Sequence, residues 1–292
     1  MATLRDIKRR IKGVQNTQQI TKAMKMVAAA KLRRAQDNII NARPYAKKIF
    51  SLFNDLVTEE NKLNNIFLVQ REVKNVAVIV VSADRGLCGA FNTNIIKEAV
   101  RYVEEESVVN TGVSYQLYCV GKKGSDFFGK RNYNILGKNI GLFSSLKYDI
   151  ALSIADEIIN NYVNGKIDKV VVIYNEFKSI IQQKLVVEQY LPIPVNTSED
   201  KKTSDVNFIY EPDQKSIFEY LLPKHLKAQL WRILLESNAS ELGARMTAMD
   251  NATTNAKELI RTLQLKYNKE RQAAITKEIL EIVSGANALK SS

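Results

Sequence analysis

Apolar residues recur along the first part of the chain in alternating steps of four and three. From Ala28 the series runs Leu32, Ala35, Ile39, Ala42, Ala46, Ile49, Phe53 and Leu56 without a miss. Leu4, Ile7, Ile11 and Val14 carry a similar spacing before it. Near the other end, Leu235, Ala239, Leu242, Met246, Met249, Thr253, Ala256, Ile260, Leu263 and Tyr267 repeat it with one polar member. Such steps form a heptad seam, the pattern that winds a helix around a partner helix. Two seams at opposite ends predict an antiparallel coiled coil made from residues 1–59 and 212–290. That is a rod, and a rod is rarely an enzyme. Pro44 lies inside the first segment and removes the N–H that would bond the Ile40 carbonyl, so a bend or a break is expected there. The seam keeps phase across it, which favours a bend.

Between the seams the period changes. Val76 to Val81 is a β-branched run of buried-strand type. The turn Ser82-Ala83-Asp84-Arg85-Gly86-Leu87-Cys88-Gly89 leads into a helix of about 92–106. Strands follow at Val113–Val120 and, weakly, Asn134–Leu136, with a short helix from Gly121 to Lys130 between them. Residues 148–164 have helical spacing, Lys169–Phe177 reads as a strand, and Ile180–Tyr190 as its hairpin partner. Strands alternating with helices predict an open, largely parallel α/β sheet with an antiparallel edge, a Rossmann-like domain over 73–195. The fold class is therefore α/β with a terminal coiled coil. Pro192, Pro194 and the polar stretch Asn196 to Asp205 read as an exit loop.

After Glu211-Pro212-Asp213 the helix resumes almost to the end. At 1.5 Å per residue, roughly 75 residues extend about 110 Å, so the helix needs a partner along much of its length. Pro223, Gly243 and Gly285 are its weak points, and Pro223 puts its continuity in doubt. The seam loses phase between Tyr267 and Ile275, then resumes at Ile279, Ile282, Ala286 and Leu289. The tip from Ala273 to Leu289 is rich in apolar residues for an exposed end and is expected to be enclosed by a partner.

Charge changes the picture of the first helix. The net charge is +12, and residues 1–48 hold 13 Lys and Arg against Asp6 and Asp37. One helix thus carries nearly all the excess, which suits an acidic protein partner, a nucleic acid, or simply solvent. No apolar run approaches the roughly 20 residues that span a bilayer. The N-terminus lacks an apolar signal core. Its basic, amphipathic start could mimic a mitochondrial transit peptide, but the spacing Leu4, Ile7, Ile11, Val14 reads as the mature helix already begun. The cysteines, Cys88 and Cys119, sit in apolar, strand-like surroundings and read as small buried residues in a reducing compartment.

Candidate chemistry is sparse. Gly86-Leu87-Cys88-Gly89 stands where phosphate loops stand, after a strand and before a helix. It is neither G-x-G-x-x-G nor followed by the Lys-Ser/Thr pair of a P-loop, so a tight turn is the stronger reading. The single histidine, His225, lies on the last helix well past Cys88 and reads as a surface or seam residue, leaving no Cys/His pair and no zinc set. Glu104-Glu105-Glu106 reads as an exposed helix end. No cofactor or metal is expected. A basic helix beside a coiled coil also fits a nucleic-acid-binding protein, which is kept as the alternative.

Five segments, in order along the whole chain, carry a family likeness. They are Val14–Ala28 (VQNTQQITKAMKMVA), Ser82–Gly89 (SADRGLCG), Tyr210–Asp213 (YEPD), Leu265–Ala273 (LKYNKERQA) and Ile275–Ala286 (ITKEILEIVSGA). Together they resemble the F-type ATP synthase γ subunit. The resemblance implies a central rotor shaft: terminal helices inside a hexamer of α and β subunits, and an α/β foot against the ε subunit and the c-ring of the membrane sector. It implies that c-ring rotation drives the catalytic β subunits through successive conformations, with no catalytic residue in this chain and no nucleic acid partner. Position by position, it places Lys22, Met24 and Arg245 near a β-subunit lever, with Arg245 close to Met24. It assigns Gln272, Thr276 and Glu278 to a β catch region, and Glu211 to the c-ring. The implied location is peripheral, on the cytoplasmic face of a bacterial plasma (inner) membrane. A processed mitochondrial form is the other option, and the lack of a transit sequence favours the bacterial one. The middle has no long cysteine-bearing insertion, so thiol control is not expected.

Overall fold

The computed structural model describes residues 3–57, 65–180, 182–194, 211 and 213–290. The expected exit loop over 196–205 lies outside them. In chain order the elements are helix α1 Leu4–Leu56, strand β1 Asn75–Val81, helix α2 Phe91–Val109, strand β2 Ser114–Val120, helix α3 Lys122–Gly129 and strand β3 Ile135–Asn139. Helix α4 Tyr148–Val163, strands β4 Lys169–Phe177 and β5 Gln183–Leu191, and helix α5 Gln214–Lys290 complete the chain, with a 3-10 turn at Leu142–Ser144 before α4.

Both long helices start on side-chain caps. The Thr3 hydroxyl accepts from the Asp6 amide at 3.2 Å, and the Asp6 carboxylate takes the Thr3 amide in return. Asp213 accepts the Ser216 amide at 2.9 Å and the Ser216 hydroxyl at 2.6 Å. These bonds satisfy amides that the first helical turn leaves without partners. α1 continues through Pro44 and α5 through Pro223. The doubt over Pro223 is thus resolved in favour of a continuous helix. One missing N–H is a local loss that packing on either side outweighs.

Contacts divide the chain into two bodies, Met1–Ala28 with Met246–Ser292, and Ala29–Arg245. The first is a pair of antiparallel helical segments. The Thr21 and Thr253 hydroxyls meet at 2.8 Å, and Lys25 Nζ lies 2.6 Å from Asp250 Oδ1. As residue numbers rise on one helix they fall on the other, which fixes the register that spacing alone left open. Ile7, Ala28, Met249, Ala256 and Leu263 are buried along this pair.

The second body is a five-stranded sheet of order β3-β2-β1-β4-β5 with helices on both faces. β1 pairs parallel with β2 and β4, β2 parallel with β3, and β4 antiparallel with β5. The expected open sheet with an antiparallel edge is present. Every residue of β1 after Asn75 is buried, as a central parallel strand requires. Its side chains alternate between two cores. Ala77, Ile79 and Val81 face a cluster that includes Ile154 and Ile158 of α4, Phe53 of α1, and Leu222, Leu226 and Ile233 of α5. Val76, Val78 and Val80 face the other cluster, with Ile95 of α2 and Phe128 of α3. The first seam is the inner stripe of α1: Leu32, Ala35, Ile39, Ile49, Phe53 and Leu56 are all buried.

Candidate functional site

The first place to look for chemistry is the turn after β1, and it is filled by the protein itself. The Asp84 carboxylate accepts three backbone amides: Lys122 at 3.1 Å, Gly141 at 2.7 Å and Phe143 at 3.1 Å. Asn92 accepts the Ala83 amide at 2.9 Å and donates to Cys88 Sγ at 3.1 Å. Ser82 Oγ accepts the Gly124 amide at 2.8 Å and donates to the Val120 carbonyl. The polar side chains of this turn are thus committed to loop–loop bonds, and the Asp84 carboxylate among them would repel a phosphate.

In open α/β sheets a ligand binds outside the carboxyl ends of the strands where strand order reverses, here between β1 and β4. α5 runs across that place. Ser240 donates to the Asn175 carbonyl of β4 at 3.0 Å, and Arg245 Nη1 donates to the Gly86 carbonyl after β1 at 2.7 Å. A Cβ on Gly243 would come 3.3 Å from the Ile180 carbonyl, so a glycine lets the helix lie this close. Arg245 also donates through Nε to Glu241 at 2.9 Å, and burial raises the Glu241 pKa against the pull of Arg245 and Lys31. The crevice that serves a nucleotide in other proteins serves a helix of the same chain here.

The thiols and the histidine are packing residues. Cys88 and Cys119 are free and buried, and burial raises both pKa values, that of Cys119 to about 11. Among the described residues no group of three or more His, Cys, Asp or Glu is arranged to hold a metal ion. His225 is a buried seam residue and not a surface one. Only 7% of it is exposed, and its ring stacks on Phe53 at 5.3 Å and tilts toward Phe50 at 5.6 Å. Burial pushes its pKa down to about 4, with Arg232 adding to the shift and Glu188 opposing it.

A half-buried ionic cluster beside it, with Glu236 its buried member, was not anticipated. Glu188 of β5 accepts from Tyr174 Oη and Gln229 Nε2, both at 2.8 Å, and from Arg232 Nη2 at 3.2 and 3.3 Å. Arg232 Nη1 reaches Glu236 at 3.5 Å, and Arg43 of α1 lies 3.9 Å from the other Glu236 oxygen. Burial raises the Glu236 pKa, while Tyr174, Glu188 and Glu236 outweigh burial to keep Arg232 charged. A sequence signal existed: Glu188 interrupts an apolar strand, and Gln229, Arg232, Glu236 and Ser240 recur every three or four residues on α5.

The positions assigned to partners lie mostly at the surface. Lys22, Gln272, Thr276, Glu278 and Glu211 are exposed, Met24 and Arg245 half-buried. The Thr276 hydroxyl is turned back onto the Gln272 carbonyl at 2.9 Å. Of Glu104-Glu105-Glu106, the first two are exposed and the third half-buried. Ile20, Met26 and Val27 are also more than half exposed. Past Tyr267, where the seam loses phase, burial of α5 ends: Ile279 is 54% and Ile282 72% exposed. The register explains why. It sets the first turn of α1 opposite about residue 271, so α5 outlasts its partner helix there.

Comparison with known proteins agrees with this architecture. A family model described as ATP synthase matches residues 3–289. The ATP synthase gamma chain of Chloroherpeton thalassium is 51% identical over 303 residues, covering 100% of both chains. That of Chlorobaculum tepidum is 52% identical over 292 residues, covering 99% of this chain and 100% of its own. Both organisms are green sulfur bacteria, as the bacterial expectation had it. In fold, the chain is similar to one in the Euglena gracilis mitochondrial ATP synthase OSCP/F1/c-ring structure, with TM-score 0.66, 21% identity, and 98% and 94% of the two chains covered. A Tetrahymena thermophila central stalk/c-ring chain gives TM-score 0.62 at 24% identity, over 80% of this chain and 99% of that one. None of this supports the nucleic-acid alternative. A full-length family match and relatives above 50% identity leave one conclusion: the chain belongs to the ATP synthase gamma chain family.

Proposed function

We propose that this chain is the central rotor shaft of a bacterial F-type ATP synthase, coupling c-ring rotation to the conformational cycle of catalytic β subunits and catalysing nothing itself. Residues 1–59 and 212–290 act as shaft and 73–195 as foot. The observation that carries the reading is the α5 tip. It is a helix whose apolar side chains are exposed because its partner within the chain has ended. Exposed apolar surface of that kind is a docking surface, and the α and β hexamer is the sleeve proposed for it. The committed bonds of the 82–89 turn support the non-catalytic part.

In this reading Lys22 and Met24 meet the acidic lever of β, and Gln272, Thr276 and Glu278 meet its catch region. Arg245 uses three of its N–H groups on Glu241 and Gly86 and offers the others to β. Glu211, exposed before α5, meets the c-ring. The foot binds ε, and the subunit sits peripherally at the cytoplasmic face of the inner membrane. The +11 balance of residues 1–48 suits contacts that form and break as the shaft turns, because salt screens exposed charges beyond about 8 Å. Reconstitution with α and β subunits, with ATPase assayed with and without this chain, tests the proposal. The chain should be retained and should change the hydrolysis rate. Equal hydrolysis without it, and no retention, overturns the proposal.

A further inference from the structure

α5 is fastened to the sheet in two physically different ways. One fastening is apolar: Phe218, Leu222, Leu226, Leu230, Ile233 and Leu234 enter the core under β1 and β4. Apolar burial is strong but non-directional, so a helix held by it alone can roll on the sheet at little cost. The other fastening is directional: Ser240 and Arg245 bond the Asn175 and Gly86 carbonyls, Tyr190 bonds the Leu226 carbonyl, and Lys227 meets Asp156, but the largest number of such bonds converges on the Glu188 cluster. Both Glu188 oxygens are used twice, Oε1 by Gln229 and Arg232, Oε2 by Tyr174 and Arg232. Three of these four bonds come from α5 and one from β4, so the carboxylate on β5 sees the helix at a single angle. Arg232 Nη2 is shared between both oxygens, and the Gln229 and Tyr174 donors on either side of it hold the carboxylate from three directions. Desolvating these groups is costly, and well-packed apolar residues of similar size commonly give equal stability. Stability alone therefore does not account for an ionic cluster at this joint; fixing the angle does.

We infer that Glu188 and Arg232 are the positioning residues of the joint through which the foot turns the shaft, holding α5 at one rotational angle on the sheet. The inference rests on the rotor reading. It predicts that removing the ionic pair in a volume-conserving way softens the joint without unfolding it. The test is single-molecule rotation of the assembled hexamer carrying the full chain, immobilised through β. A gold probe is attached at Val108→Cys, an exposed foot position. The width of the probe's angular distribution while the motor waits for ATP measures torsional stiffness.

In the doubly apolar variant Glu188→Leu/Arg232→Met, the angular variance should rise about two-fold while ATP hydrolysis stays near the parent value; the melting temperature should fall, because the buried Glu236 loses its Arg232 partner. An unchanged variance in the double variant overturns the proposal. Should that variant fail to assemble, Tyr174→Phe removes one Glu188 donor at small volume change. It should broaden the distribution to a lesser degree, and no broadening is equally fatal. A parent complex that does not rotate at all sinks the rotor reading instead, which separates the two failures.

Discussion

His225 offers a prediction whose size follows from its surroundings. In the folded chain the ring is enclosed by Phe50 and Phe53, and its pKa lies near 4 against an ordinary 6.5. Above pH 6.5 the ring is neutral folded and unfolded, and it contributes no pH dependence. As pH falls below 6.5 the unfolded chain takes up a proton that the folded chain refuses until about pH 4. Stability therefore drops through that window, and the loss is complete below pH 4. One pKa unit is about 1.4 kcal/mol, so the full difference is about 3 kcal/mol, of which about 2 kcal/mol is lost by pH 5. The measurement is denaturant unfolding between pH 8 and 5, followed by fluorescence of Trp231, the single tryptophan, in the same helix. Carboxylates also titrate toward the acid end, so His225→Phe is run beside the parent and the difference is taken. Phe suits the aromatic stack and cannot titrate. The parent should lose about 2 kcal/mol relative to the variant on going from pH 8 to pH 5. A difference that stays constant with pH refutes the argument that the ring is held neutral by burial.

Three further outcomes are expected. Phe53→Ala empties a fully buried site that stacks on Phe218 and His225, and should cost about 3–5 kcal/mol in the same unfolding assay. Gly121→Ala forces a Cβ into the Ser82 carbonyl at a backbone φ of 94°. It should destabilise the sheet by more than the roughly 1–3 kcal/mol of backbone strain alone, read as a lowered denaturation midpoint. Deleting residues from Ala273 onward removes only the part of α5 past its partner helix. It should weaken assembly with α and β in pull-down while the Trp231 unfolding curve stays unchanged; a lost transition would show that the tip is part of the fold.

Sequence periodicity determined a good deal of this protein. The four–three spacing chose the buried stripe of α1 down to Phe53 and Leu56, because a helix repeats near 3.6 residues and a stripe at that spacing must face something apolar. The unbroken β-branched run of β1 marked a strand buried on both faces, and the phase slip after Tyr267 marked where pairing ends. These signals are local, so the chain carries them openly. Tertiary structure decided what depends on distant residues meeting. The register of the paired helices came from Thr21 against Thr253, a choice that heptads alone permit in several shifts. The neutral state of His225 came from two rings supplied by α1. The filled crevice at Gly86 and the angle fixed at Glu188 came from α5 crossing a sheet whose strands are tens of residues away in sequence. Spacing along a chain sets which face of an element is buried; only the folded arrangement sets which groups share that burial and at what angle.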